Sequence, residues 1–147
     1  MATGKMVTDL DVGDVLGPVE YTLSPFVVRE YCHAVELHHD LFQGVEGQIM
    51  PPTLIHLDKL RLYRHACPLG TGPTARIHFE YDAEIFAPVY VGDRLSVQGL
   101  IRDRYTRNGR EYVVLEMELK RVETGELLIR YTDRVILAYS AESGKAA

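Results

Sequence analysis

The sequence predicts an α+β protein in which an antiparallel sheet wraps around one long central helix. Three observations point there. After Pro51-Pro52, the residues Leu54, Ile55, Leu57, Leu60, Leu62, Tyr63 and Ala66 cover most of a helix's circumference, and a helix apolar nearly all round is a buried one. From Thr74 the apolar period changes to two: Ala75, Ile77, Phe79, Tyr81, Ala83 and Ile85 alternate with polar or charged residues, the mark of a strand with one buried and one wet face. Two turn signals, Asn108-Gly109 and Glu123-Thr124-Gly125-Glu126, then divide the remaining chain into strands.

The elements follow in order. Residues 1–9 are expected to be a flexible N-terminus, residues 10–139 one domain, and residues 140–147 a flexible tail of small and polar side chains. Turn chemistry at Asp11 to Pro18 leads into a short extended piece, Val19 to Leu23. Ser24-Pro25 suits a helix N-cap and first turn, and Val27, Tyr31, Ala34 and His38 share one face of the helix that follows. It should fade near His38-His39-Asp40, with Leu41 to Gly47 a loop. The two prolines fit the first turn of the central helix, where a missing N–H costs nothing. Pro68, Gly70, Gly72 and Pro73 punctuate the next loop. Strands follow from Thr74 to Ile85, Arg94 to Arg107, Glu111 to Val122 and Leu127 to Tyr139, the last three joined as an antiparallel meander.

Composition narrows the function. A chain of 147 residues, 46% hydrophobic, buries a real core as one domain. A net charge of −5 argues against nucleic acid as a partner. Cys32 and Cys67 lie far apart, without metal-ligand spacing, and read as buried thiols of a cytoplasmic protein. No cofactor and no metal are expected. No apolar run follows Lys5, so no secretory signal is expected, and no stretch of about 18 apolar residues is present to cross a membrane.

An antiparallel sheet around one buried helix is the hot-dog architecture, and specific residues carry a resemblance. Val12-Gly13-Asp14-Val15-Leu16 is similar to the opening of MaoC-like dehydratase domains. Met50-Pro51-Pro52-Thr53 resembles the Ala-Pro-Pro-Thr segment of their FAS1-type N-terminal variant. Ala87 to Leu95 resembles the Pro-(x)3-Gly-Asp-x-Leu bend of many hot-dog proteins. The resemblance spans Leu10 to Leu137. It implies an acyl thioester of coenzyme A or acyl carrier protein as substrate, and (R)-3-hydroxyacyl dehydration or its reverse, hydration of a 2-enoyl thioester. That chemistry needs an acid–base group and N–H donors on the thioester oxygen. In the family the donors come from the N-terminus of the central helix.

The chain departs from the family at three places. MaoC-type hydratases carry an Asp with a His five positions later; Asp40 matches the Asp, but Val45 stands in place of the His. Hydroxyacyl carrier-protein dehydratases place a His and an acid where this chain has Gln43 and Leu57. Relatives often have Gly near Pro52, which has no N–H, so Thr53 is left as the oxyanion donor.

Asp40 and His56 are therefore the expected catalytic residues, and Thr53, Pro52, His38 and Tyr63 the expected substrate-binding ones. Three of them have a plainer reading: Asp40 as a solvated helix-end carboxylate, His56 as a core histidine, His38 as a packing residue. Asp58 fits a hot-dog thioesterase carboxylate, or a residue that faces solvent or pairs with a neighbouring Arg. Periodicity puts His78 on the wet face of its strand. Arg102, Arg104, Arg107 and Arg110 fit either the acidic groups of a carrier or a solvated hairpin. Two functions from different classes stand: a hydratase or dehydratase with a non-standard site, and a non-catalytic acyl-binding subunit of a heteromeric dehydratase. A cyclase or thioesterase is a third. The helix's apolar girth exceeds what one small sheet covers, so a homodimer or hot-dog heterodimer is expected.

Overall fold

The computed structural model describes residues 5–43, 48–70 and 77–137. Five antiparallel strands form its sheet: β1 (Val15–Thr22), β2 (Ile77–Ile85), β3 (Arg94–Arg107), β4 (Arg110–Arg121) and β5 (Leu127–Leu137). They lie in the order β1-β3-β4-β5-β2. The meander β3-β4-β5 is as expected. β1 starts at Val15 rather than Val19, because a register shift between Leu16 and Val19 carries the strand past Pro18. Val45, Gly47, Thr74 to Arg76 and the tail from residue 138 lie outside the described residues.

Within the N-terminal segment, Val7 to Leu10 is docked on the domain. Val7–Asp9 forms a 3-10 turn with Val7 buried in the core. The Val7 N–H donates to Gly70 O at 3.1 Å. The Arg104 guanidinium holds the carbonyls of Thr8 and Leu10, at 2.9 and 2.6 Å, together with Glu111. Arg104 is thus a strap across this end of the molecule, and Arg102 is committed to Glu116 at 2.8 Å.

The first helix, α1 (Pro25–Ala34), is capped as its sequence suggests: Ser24 Oγ accepts from the Phe26 N–H at 3.1 Å. It ends four residues before His38. Glu36 turns into the left-handed region at φ 56°, and the N–H groups of Leu37 and Glu36 fold back onto Cys32 O and His33 O, a Schellman-type stop with glutamate where glycine is usual. The buried residues are Val28 and Cys32. Ala34 and His38, placed on the inner face by periodicity, are exposed. A single turn, α2 (Asp40–Gln43), then occupies part of the expected loop.

The central helix is a 3-10 turn, Pro52–Ile55, running directly into α3 (His56–Ala66). It lies close on β1 and β3. Gly17 has φ 82°, and a Cβ there would sit 2.9 Å from Leu62 Cδ2 and 3.0 Å from Val97 O, so the approach needs glycine. The helix is not buried all round. Leu54, Ile55, Leu62, Tyr63 and Ala66 face the core, while Leu57 and Leu60 are 40% and 52% exposed.

β2 is the sheet's edge and is open on both faces, where one buried face was expected. Its alternation is also broken. His78 pairs with Val135 and Glu80 with Arg134, so Phe79 is an extra residue in a bulge. Beyond it Tyr81, Ala83 and Ile85 stand opposite the inward residues Asp133, Tyr131 and Ile129. The bulge turns His78 to the inner face with them.

Candidate active site

The chemistry-bearing side chains converge where the start of α3 meets the inner face of β5 and β2. Period two along β5 sends Ile129, Tyr131, Asp133, Val135 and Leu137 inward, all buried. An aspartate at one of those positions is costly unless it is paired. Asp133 meets two nitrogen groups: Lys59 Nζ at 3.5 Å from Oδ2 and His78 Nδ1 at 2.7 Å from Oδ1. Lys59 Nζ also lies 3.0 Å from His78 Nδ1. The carboxylate oxygens make these as close ion contacts rather than well-aligned hydrogen bonds. Burial raises the Asp133 pKa, and the charges of Lys59 and His78 oppose the rise.

His56 opens α3 one turn before Lys59, so both project to the same side. Its Nδ1 lies 2.8 Å from the Tyr131 hydroxyl. Its ring meets the rings of Tyr81, Tyr131 and His78 edge-on at 4.7, 5.3 and 5.4 Å. Partial burial lowers the His56 pKa, helped by the positive charges of Lys59 and His78 and opposed by Asp133. The imidazole is therefore held neutral at pH 7, the form that accepts a proton. Burial, and then the negative charge of Asp133, push the Tyr131 phenol well above its usual range, so its hydroxyl keeps its proton. His56, His78 and Tyr81 border the open side of the molecule; Tyr131 and Asp133 back them from within.

An apolar hollow of about 330 Å³ continues this row. Ile85, Ile129, Phe86, Met50 and Pro52 line it. Ile129 and Ile85 are paired neighbours, two places along the strands from Tyr131 and Ala83, so hollow and polar cluster share one strip of the sheet. Another hollow, about 260 Å³, lies on the sheet's outer face among Arg102, Glu116, Glu118 and Lys120. Its lining includes the Arg102–Glu116 pair, and it is remote from His56.

The other expected site residues are dispersed. Asp40 is exposed at the first position of α2 and, among the described residues, has no hydrogen bond or ion pair to His56. His38 is exposed beyond α1 beside Arg29, Glu30 and His33. Thr53 is exposed, with Oγ1 2.5 Å from the Tyr31 hydroxyl; as the second residue of the helical entry its N–H has no intrahelical acceptor. Pro52 lines the apolar hollow. Tyr63 is buried in the core.

Asp58 does not face solvent. It is 2% exposed, accepts from the Tyr21 hydroxyl at 2.9 Å, and has Arg61 Nε at 3.6 Å. The expected pairing with a neighbouring Arg holds, and the Arg61 guanidinium also stacks 3.6 Å over the Tyr21 ring. Burial lifts the Asp58 pKa to about 6, against the pull of Tyr21 and Arg61. The adjoining cavity is about 10 Å³, room for at most one water, so Asp58 cannot meet a thioester there without rearrangement.

The sequence places His56 at the start of the central helix but does not show which side chains surround it. Asp133 was legible as a charge at the inward parity of an apolar strand. His78 was not, because the Phe79 bulge inverts the parity that placed it outside.

No protein-family model and no curated protein matches the sequence. Solved structures do. A monoamine oxidase regulatory protein from Archaeoglobus superposes with a TM-score of 0.74 at 15% identity, over 94% of this chain and 97% of that one. The HadBC (3R-hydroxyacyl-ACP dehydratase) complex from Mycobacterium tuberculosis matches with a TM-score of 0.72 at 19% identity, over 86% and 98%. An (R)-hydratase from A. caviae involved in PHA biosynthesis matches with 0.67 at 16%, over 86% and 96%. The chain has the hot-dog fold of these MaoC-like dehydratases and hydratases. No helix among the described residues is long and apolar enough to cross a membrane.

Proposed function

We propose that this protein acts on an acyl thioester of coenzyme A or acyl carrier protein as a hydratase or dehydratase of the (R)-3-hydroxyacyl type, with His56 as its proton-transfer group. The observation that carries this reading is a half-buried histidine at the start of the central helix, 2.8 Å from a tyrosine hydroxyl. A buried tyrosine engages its Nδ1, which leaves Nε2 for substrate. The apolar hollow along the same strip suits the acyl chain, and the Thr53 N–H at the helix entry suits the thioester oxygen. Asp40, exposed and without an intramolecular partner among the described residues, is assigned to orient substrate from the α2 side. Cys32 and Cys67, both buried and in no disulfide, fit work in a reducing cytoplasm.

A second reading has specific support. Val45 stands where the family has its histidine, Pro52 lacks an N–H, and the mycobacterial neighbour is a two-chain dehydratase complex. All three suit an acyl-binding subunit that pairs with an active hot-dog chain. Purified wild type offered 2-enoyl thioesters separates the two. The enzyme reading expects turnover, with His56→Ala lowering kcat by about 10² or more and Asp40→Asn lowering it as well. The subunit reading expects no turnover, binding of long-chain acyl thioesters, and co-purification with a second hot-dog chain. Turnover that survives both substitutions removes the residue assignment.

A further inference from the structure

A second imidazole borders the open side of the molecule. The ring of His78 stands beside that of His56, with centroids 5.4 Å apart, and proton transfer at His56 gives it no task. We propose that His78 is a second catalytic residue, whose Nε2–H donates to the thioester carbonyl oxygen of the substrate. The proposal rests on the hydratase reading for its substrate, and on the contacts of His78 for its donor.

Those contacts decide where the ring keeps its proton. Nδ1 faces inward and lies 3.0 Å from Lys59 Nζ, a hydrogen bond. An ammonium group has only donors, so Nδ1 accepts, and the one proton of the neutral ring stands on Nε2. Asp133 Oδ1 lies 2.7 Å from the same nitrogen, an ion contact outside hydrogen-bond alignment. Protonation of the ring would add a hydrogen at Nδ1, toward that carboxylate, and leave Nε2–H in place. Nε2 is therefore a donor in either charge state. The side chains of Asp133 and Lys59 are 0% and 12% exposed, that of His78 35%. The exposure belongs to the edge of the ring away from them, the Nε2 edge, which has no hydrogen bond among the described residues. Lys59 and Asp133 act here as positioning residues.

Strand register selects the oxygen. From the apolar hollow the paired residues run Ile85 with Ile129, Ala83 with Tyr131, Tyr81 with Asp133, then His78 with Val135. His56 stands at Tyr131. An acyl chain with its tail in the hollow passes its reacting carbons by His56 and brings its carbonyl toward His78. The one oxygen of a 2-enoyl group is that carbonyl. In hydration the oxygen of water bonds to C3 and its proton goes to His56. The C2–C3 double-bond electrons shift toward C1, and the carbonyl electrons move on to the oxygen as an enolate. Return of the proton from His56 to C2 restores the carbonyl and the neutral imidazole. His78 keeps its own proton throughout. A donor aimed at the enolate oxygen stabilises the transition state more than the ground state. Pro52 lacks an N–H at the helix entry, and His78 supplies a donor in addition to the Thr53 N–H.

The test uses the whole protein and butyryl-coenzyme A carrying 13C at its carbonyl, a saturated probe that cannot take up water. Bound to wild type, the carbonyl signal is expected downfield of the free probe, as a hydrogen-bonded carbonyl gives. His78→Phe should reduce that displacement, and His78→Gln, whose amide can still donate, should keep part of it. With crotonyl-coenzyme A, His78→Phe should lower kcat about 10²-fold and leave KM nearly unchanged. 15N imidazole spectra should find a hydrogen on Nε2 of His78; a bare Nε2 overturns the proposal even if neither variant folds. So does a carbonyl that is not displaced in the wild type, or one displaced equally in folded His78→Phe. Turnover with an undisplaced carbonyl removes the donor and keeps the hydratase reading. A displacement that depends on His78, without turnover on any thioester, keeps the donor and removes that reading. A wild type that binds no acyl thioester removes both.

Discussion

Two inward carboxylates, Asp58 and Asp133, show what burial does to a single residue. Asp58 is held by a phenol and an arginine, yet burial wins and its pKa rises to about 6 from 3.8. A carboxyl whose folded pKa is raised binds more protons folded than unfolded between those values. Stability from this group is therefore greatest below about pH 4 and falls as pH rises to about 6. At about 1.4 kcal/mol for each pH unit of displacement, the loss is about 3 kcal/mol. Asp58→Asn keeps an oxygen for the Tyr21 hydroxyl and removes the titration. Urea midpoints for both proteins across pH 4 to 7 should show a slope in wild type that flattens in the variant. Parallel curves would mean that Asp58 is hydrated after all.

Among the elements, the β3–β4 hairpin tests a local rule. Arg107 pairs with Arg110, leaving Asn108 and Gly109 as a two-residue loop with φ of 51° and 71°. Both angles are positive, as a type I′ turn requires. Gly109→Val should destabilise the protein by about 1 kcal/mol or more, because a β-branched residue is strained at positive φ. An unchanged melting temperature would contradict the turn assignment. β2 teaches the opposite lesson: its alternation reads as one uniform strand, yet a single extra residue at Phe79 decides which side His78 joins. A bulge is chosen by the partner strand, here β5, and leaves no fixed mark in local composition.

Across the molecule as a body, the open side of α3 and the edge strand β2 lie together, joined by the His56–Tyr81 and Lys59–His78 contacts. Leu60, one turn after His56, and Tyr81 and Ile85 on β2 are 52%, 48% and 53% exposed. An unpaired sheet edge beside exposed apolar side chains is a surface that calls for a partner. A dimer is expected, with Leu60→Glu shifting it toward monomer. Light scattering at micromolar concentration that gives 16.6 kDa for the wild type would count against this assembly and leave the candidate site open to water.

The α+β class, the capped start of α1, the central helix and the β3-β4-β5 meander are all legible in the amino-acid order. Each rests on nearest-neighbour chemistry: an N-cap, a pair of prolines, a turn dipeptide, a period of two. His56 is legible for the same reason, because a helix start marked by two prolines places it. Its surroundings are not. That Tyr131, Asp133, Lys59 and His78 gather around it, and that Asp58 is buried, are outcomes of three-dimensional packing. They depend on which strands pair, where a bulge falls and which side of α3 the sheet covers. Such contacts join residues up to 75 positions apart, and no local pattern of side chains encodes them.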